Sequence, residues 1–176
     1  KLSIAVVTMN REKQLMEALQ SCIASKLPID TQFVIIDNAS TDGTESVITS
    51  FFQKYAYEYY YEKLQKNIGC GNGRNYAYSK SKGDYIYFMD DDAYIATDCE
   101  DFFIRAIEIF EANKRIATLT TQIYDLVWKK DRVLAEGPLI DTDVRHCQML
   151  CGGSHFLSRS FFGETDPYFP NKYGCE

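Results

Sequence analysis

Three consecutive carboxylates, Asp90-Asp91-Asp92, are the residues whose type and spacing point most directly to chemistry. Adjacent like charges repel and raise one another's pKa, so the triplet needs a cation or strong donors close by. A divalent ion with a preference for hard oxygen ligands answers that need. The competing account is a solvated turn, which is what most acidic runs are. Position favours the ligand. The preceding Tyr85-Ile86-Tyr87-Phe88-Met89 is a nearly continuous apolar stretch of aromatic and β-branched types, the pattern of a strand covered on both faces at the centre of a parallel sheet. Open α/β sheets place their ligand crevice outside the carboxyl ends of such strands.

The rest of the chain supplies the elements that would hold this triplet. Residues 2–8 read as a first strand. Asn10 suits a helix N-cap, and Leu15, Leu19, Cys22 and Ile23 recur at helical spacing over residues 11–25. Phe33-Val34-Ile35-Ile36 reads as a second buried strand ending at Asp37, followed by turn chemistry over 38–44 and a helix to about residue 52. Residues 57–64 alternate polar and aromatic types, as a half-exposed strand does. Gly69, Gly71 and Gly73 mark a glycine-rich loop over 67–75 that opens a helix to about residue 81. Thr97-Asp98-Cys99-Glu100 has capping-box spacing ahead of a helix with Phe103, Ile107 and Phe110 on one face. Residues 116–123 read as a strand, 128–144 as a loop or hairpin excursion turning at Gly137-Pro138, and 148–157 as a strand interrupted at Gly152-Gly153. The tail from Phe161 reads as loop. This order predicts an α/β fold, a doubly wound, mostly parallel sheet with helices on both faces. Thr8 and Asn10, Asp37, and residues 90–92 then all fall just past strand ends, the pattern of a nucleotide-type crevice.

A chain of 176 residues fits one domain with a sizeable core. The net charge of −6 argues against nucleic acid as a partner, although a diphosphate still binds an acidic protein through a metal or a local basic group. No apolar run approaches the ~18 residues of a membrane-spanning helix, and the first residues lack a signal-peptide layout. The six cysteines, Cys22, Cys70, Cys99, Cys147, Cys151 and Cys175, form no C-x-x-C pair. Cys147 and Cys151, with His146 and His155 nearby, are spaced wrongly for zinc. The expectation is reduced, mostly buried thiols in a cytoplasmic protein. With no initiator Met and no closing helix before Glu176, the chain reads as a piece of a longer protein.

Val6-Val7-Thr8-Met9-Asn10-Arg11, Ile35-Ile36-Asp37-Asn38-Ala39-Ser40-Thr41-Asp42-Gly43-Thr44, Asn67-Ile68-Gly69 with Gly73-Arg74-Asn75, and Met89-Asp90-Asp91-Asp92 occur in one order. Together they resemble the family 2 inverting glycosyltransferases of the GT-A fold. Gly152-Gly153-Ser154 and Tyr173-Gly174-Cys175-Glu176 look like that family's acceptor-side strand and the start of its Glu-Asp segment. The resemblance implies one domain over 1–176, with a nucleotide-sugar half over 1–95 and an acceptor half over 96–176. It implies an inverting transfer from a nucleotide-diphosphate sugar, a UDP-sugar foremost, to a hydroxyl of a glycan or lipid-linked acceptor at the inner face of a membrane.

In the roles the resemblance implies, Thr8, Asn10 and Arg11 line the nucleotide pocket, with Asn67 and Gly69 beside it, and Asp37 accepts a hydrogen bond from the base. Arg74 adds charge to a phosphate. Asp90 meets the ribose, and Asp90 and Asp92, with Asp91 as a further candidate, hold Mg²⁺ or Mn²⁺ on the diphosphate. Gly153, Ser154 and His155 face the acceptor. The base comes from the Glu-Asp segment, so Glu176 is the available catalytic candidate beside Asp92, with Glu164 and Asp166 weaker. The expectation is that this piece binds donor without full turnover. Rival readings remain open for Asp37 as an Asx turn residue, Arg74 as a helix-surface arginine and His155 as a hydrogen-bonded strand histidine. Rival functions are a non-catalytic nucleotide-sugar module and a sugar nucleotidylyltransferase. The latter wants a basic glycine-rich loop after the first strand, which Thr8-Met9-Asn10-Arg11 does not supply. A dinucleotide-binding loop is disfavoured by the spacing of Gly69, Gly71 and Gly73.

Overall fold

Strands and helices alternate along the chain in the computed structural model, which describes residues 1–132, 137–140, 144–147 and 150–168. The strands β1 (Leu2–Thr8), β2 (Gln32–Asp37), β3 (Glu58–Lys63), β4 (Tyr85–Asp90), β5 (Thr118–Thr120) and β8 (Ser154–Ser158) form one sheet, in the order β3-β2-β1-β4-β8-β5. The first four run parallel, and β8 lies antiparallel between β4 and β5. β5 therefore runs in the same direction as β4. β6 (Ile123–Asp125) and β7 (Lys130–Arg132) pair as a separate hairpin.

The helices are α1 (Glu12–Ala24), α2 (Thr44–Lys54), α3 (Cys70–Lys80), α4 (Phe102–Ala112) and the single turn α5 (Arg159–Phe162). They cover both faces of the sheet, which is why β1, β2 and β4 are apolar at nearly every position. On one face Leu2, Ile4, Val6, Phe33, Ile35 and Tyr87 pack with Leu15 and Leu19 of α1, Phe51 of α2 and Phe103 and Phe110 of α4. On the other, Ala5, Val34, Ile36, Ile86 and Phe88 meet Ala77 and Tyr78 of α3. The α3 sequence, CGNGRNYAYSK, has no strong apolar stripe. It approaches the sheet because its residues are small: a Cβ on Gly73 would lie 2.7 Å from Val7 Cγ1.

The mostly parallel, doubly wound sheet expected from the sequence is present, and its differences are local. Asn10 is not the cap of α1: Arg11 takes that position, and Asn10 sits in the left-handed region with φ 55°. Helix α3 starts at Cys70, so most of the expected glycine-rich loop is already helix. The capping box at Thr97 does not form, because α4 begins at Phe102 behind Asp101 with no side-chain cap. The Glu100 carbonyl instead accepts the Lys26 N–H at 2.7 Å. The expected strand over 116–123 is interrupted, giving β5 and then the start of the hairpin, and Trp128 lies between β6 and β7. β8 begins only at Ser154, after the two glycines, while residues 148 and 149 lie outside the described ones. The tail opens with α5 rather than loop. Among the described cysteines only Cys22 is buried; Cys70 and Cys151 are half-buried and Cys99 and Cys147 exposed, against the expectation of mostly buried thiols. No helix of the described residues is long and apolar enough to cross a membrane.

The strand order is held by an aromatic cluster around Phe156 of β8. Its ring lies 4.4 Å from that of Tyr87, 5.6 Å from Phe102 and 6.5 Å from Phe110, between centroids. Phe156→Ala leaves a cavity where β8 meets α4, and a loss of about 3–5 kcal/mol in urea unfolding is expected.

Candidate active site

The carboxyl edge of the sheet gathers most of the residues singled out in the sequence, and each aspartate of the triplet finds a different partner there. Asp90 ends β4, and its Oδ1 accepts from Arg74 Nη2 at 2.6 Å. Asp91 turns inward, where its Oδ2 accepts from the Thr8 hydroxyl at 2.7 Å. Asp92 points outward and pairs with Arg11 Nη1, which also lies 3.7 Å from Asp91 Oδ1. Burial pushes the Asp91 carboxyl above its ordinary range, and the Thr8 hydroxyl and Arg11 act against that. The same arrangement raises Arg11, first through its hydrogen bond to Asp92 and then through Asp91. Like charges on consecutive residues are thus separated in direction, with two arginines and one hydroxyl serving the three carboxylates.

These contacts decide several sequence readings. Arg74 is an inward-facing partner of Asp90, its guanidinium 5.8 Å from the Tyr168 ring centroid, so the helix-surface reading fails. Thr8 and Asp91 are both buried and face each other. In this structure they brace the strand end rather than line an open pocket. Asp37 is also fully buried: Oδ1 accepts the Ser40 N–H at 2.7 Å and Oδ2 the Tyr61 hydroxyl at 3.0 Å. The carboxylate thus closes the turn after β2 onto the residue three positions on, and Tyr61 holds it from β3. Asn10 Oδ1 accepts the Thr41 N–H at 2.7 Å, tying the loop after β1 to the loop after β2.

Asn67 Oδ1 accepts from Asn38 Nδ2 and from the Gly69 N–H, both at 2.7 Å, and Asn38 Oδ1 takes the Ile68 N–H at 2.9 Å. Gly69 has φ 80°, a conformation that favours glycine, just where the chain enters α3. Sequence reasoning missed Asn38, Tyr61 and Tyr168 as site supports. The first sat in a turn motif read only for its backbone. The tyrosines act across long sequence separations that local patterns do not encode.

The expected acceptor-side trio separates. Gly153 touches the site: a Cβ there would lie 2.7 Å from Asp90 Oδ2, and its carbonyl accepts the Asp90 N–H at 3.0 Å. Ser154 and His155 are buried, which corrects their assignment to an acceptor surface. Ser154 Oγ bonds the Tyr87 and Thr121 hydroxyls, both at 2.6 Å. The His155 ring stacks on Phe88 and lies 2.9 Å from the Cys151 carbonyl through Nδ1. A carbonyl only accepts, so Nδ1 carries the proton and Nε2 accepts from the Tyr168 hydroxyl. Burial, then the Arg74 charge, pushes the ring down to about 4. Glu164 and Asp166 are exposed. Glu176 lies outside the described residues.

The family model described as Glycosyl transferase family 2 matches residues 3–163. The chain belongs to glycosyl transferase family 2. This family 2 domain is 31% identical over 99 residues to a poly(ribitol-phosphate) beta-glucosyltransferase of Bacillus spizizenii, covering 56% of this chain and 16% of that one. It is 29% identical over 175 residues to the uncharacterised glycosyltransferase YfnE of Bacillus subtilis, covering 94% of this chain and 44% of that protein. The crystal structure of S. aureus TarS 1–349 in complex with UDP-GlcNAc matches with a TM-score of 0.72 at 20% identity, over 97% of this chain and 48% of that one. A mannosyltransferase of Pyrobaculum calidifontis, in complex with GDP-Man and Mn²⁺, matches with a TM-score of 0.72 at 18% identity, over 92% and 45%. What these structures share with the family 2 domain is the GT-A fold. The domain spans about half the length of these solved structures, or less.

The buried His155 gives a pH test of the layer behind Asp90. The unfolded chain takes up a proton near 6.5 that the folded ring refuses until about 4. The stability conferred by the neutral ring is complete above pH 6.5 and is lost as pH falls toward 4, at roughly 1.4 kcal/mol per pH unit. In urea unfolding, wild type is expected to lose about 2 kcal/mol more than His155→Gln between pH 7 and pH 5. Parallel pH dependences would refute this.

Proposed function

We propose that this family 2 domain transfers a sugar from a nucleotide-diphosphate donor, foremost a UDP-sugar, to a hydroxyl of a glycan or lipid-linked acceptor, with inversion and metal assistance. The observation that carries the reading is the rim formed by Asp90 and Asp92, two partly exposed carboxylates each countered by an arginine from a neighbouring loop or helix. A crevice balanced in this way exchanges partners readily. A diphosphate can take over Arg11 and Arg74, whose planar forks suit phosphate oxygens. That frees carboxylate oxygens for a cation.

The donor set fits such an ion. Asp92 offers hard oxygens at the surface, and Asp90 has Oδ2 directed at Gly153 rather than at Arg74. Among the described residues no group of three His, Cys, Asp or Glu side chains converges on one point. Mg²⁺ and Mn²⁺ sites that use one or two carboxylates and complete the shell with substrate phosphate need no more. The ion, when bound, neutralises the leaving diphosphate as the sugar–phosphate bond breaks. Arg74 holds Asp90 in register with the strand end, the Asp37 turn and the Asn38–Asn67 bridge shape the walls, and a carboxylate takes the acceptor proton. Glu176 is the base proposed for that step. The UDP and UDP-GlcNAc complexes of TarS support the donor class, and the poly(ribitol-phosphate) transferases among the relatives support a polymeric polyol-type acceptor.

Calorimetric titration of UDP is the direct test. Binding is expected with Mn²⁺ present, weakened at least about tenfold by EDTA and by Asp92→Asn. Metal-independent binding of undiminished strength would remove the ion from the proposal, and absence of binding to wild type would remove UDP. Gly153→Ala tests the rim separately, because its new methyl displaces the Asp90 carboxylate. A loss of about tenfold in UDP·Mn²⁺ affinity with an unchanged circular dichroism spectrum is expected.

A further inference from the structure

The β6–β7 hairpin carries the densest run of exposed apolar side chains on the described surface. Four of five consecutive residues, Tyr124, Leu126, Val127 and Trp128, are 55, 56, 85 and 71% exposed. Water-facing clusters of this kind mark interaction sites. The loop is built to present them. Asp125 Oδ1 accepts the N–H groups of Val127 and Trp128, both at 3.0 Å, and Lys129 closes the turn with φ 50°. The stem is set by the pairs Ile123↔Arg132, Tyr124↔Asp131 and Asp125↔Lys130. Two cations, Lys129 and Lys130, follow the apolar tip directly, and Lys130 Nζ lies 5.9 Å from the Trp128 ring centroid.

From this composition we infer that the hairpin docks the domain on an anionic lipid bilayer. Leu126 and Val127 enter the headgroup–acyl boundary, Trp128 sits at the interface, where its amphipathic ring is favoured, and Lys129 and Lys130 meet lipid phosphates. Charge distribution selects this occupant. The hairpin carries Lys129, Lys130 and Arg132 against Asp125 and Asp131, a small positive excess on a chain of −6, and the two lysines adjoin the apolar tip, so the tip and not the acidic body is the part an anionic surface attracts.

Topology gives the contact a direction. β5 runs parallel to β4, so the chain leaves β5 for the hairpin at the same sheet edge as residues 90–92. Thr121, between β5 and the hairpin, bonds Ser154 next to Gly153, which abuts Asp90. The hairpin is therefore rooted at the crevice edge, and docking through its tip keeps that edge near the bilayer. A single insertion of this size binds reversibly. The inference does not depend on the donor chemistry proposed above, and the two fail separately.

Trp128 is the sole tryptophan of the chain, so tryptophan emission excited beyond the tyrosine absorption reads the tip alone. The protein is titrated with unilamellar vesicles of phosphatidylglycerol and phosphatidylcholine, and with phosphatidylcholine alone. With the anionic vesicles a blue shift, protection from iodide and quenching by brominated acyl chains are expected, and much weaker effects with the zwitterionic ones. Val127→Asp is expected to lower partitioning by about tenfold or more, and the pair Lys129→Glu and Lys130→Glu to abolish the anionic preference, with circular dichroism and UDP·Mn²⁺ binding unchanged in both. Emission that stays water-exposed at saturating lipid overturns the inference, as does equal partitioning of Val127→Asp. A blue shift that follows protein concentration without vesicles assigns the tip to a second copy and also overturns it.

Discussion

Three carboxylates on consecutive residues at the end of a buried strand must be kept apart and neutralised, and much of the site follows from how this chain does it. A strand end and its turn send successive side chains in different directions. Asp91 is drawn under the edge to the Thr8 hydroxyl, Asp90 is held sideways by Arg74, and Asp92 meets Arg11 in solvent. Each partner comes from a different part of the chain. The last residue of β1, the residue capping α1 and the second turn of α3 must therefore all arrive at one place. Their arrival is possible because β1 lies next to β4 and because Gly73 lets α3 sink onto Val7.

Rigid packing below the edge keeps these partners in range. The Asp90 register is set by main-chain pairing to β1 on one side and to β8 on the other, and β8 is anchored by Phe156 among Tyr87, Phe102 and Phe103. A second layer of Tyr168, His155 and Arg74 backs the same carboxylate from beneath. Asn75 fastens that layer by accepting from and donating to the Tyr168 main chain, both at 2.9 Å. Polar groups in this layer are paired, which is the condition for burying them at all. Functional precision at the surface thus rests on satisfied hydrogen bonds in the interior.

Much of this was legible in the sequence, and the boundary of legibility has a physical reason. The apolar runs of β1, β2 and β4 have no alternation because both faces are covered, and that placed them at the sheet centre. Turn chemistry after Ile36 and the triplet after Met89 marked the crevice edge. Features carried by distant partners were not legible. Nothing near Asn10 says that its amide will hold the Thr41 main chain rather than cap α1. Nothing near His155 says that Phe88 and Tyr168 will enclose it. The helix-opening spacing at Thr97 was misleading because α4 starts only at Phe102, which leaves Glu100 ahead of the helix rather than in its first turn. The outward face of the hairpin was equally invisible to periodicity: the sequence placed a loop or hairpin excursion from Trp128 on, but nothing in it says that Leu126, Val127 and Trp128 face solvent together.

The two borders of the main sheet also determine how the protein behaves among copies of itself. An open sheet ends in strands whose outer main-chain groups are free to pair with another chain, and long, flat, apolar borders invite fibres. Here β3 forms one border, and its six residues include Glu58, Glu62 and Lys63, with Lys1 and Lys82 gathered at Glu58. A strand approaching this side would have to bury charges that are already engaged. The opposite border, β5, is three residues long and too short to template a partner. Among the described residues neither border offers a growing surface for stacked chains, so the predominantly parallel core, slow to assemble by its topology, is shielded from edge-to-edge aggregation once it has formed.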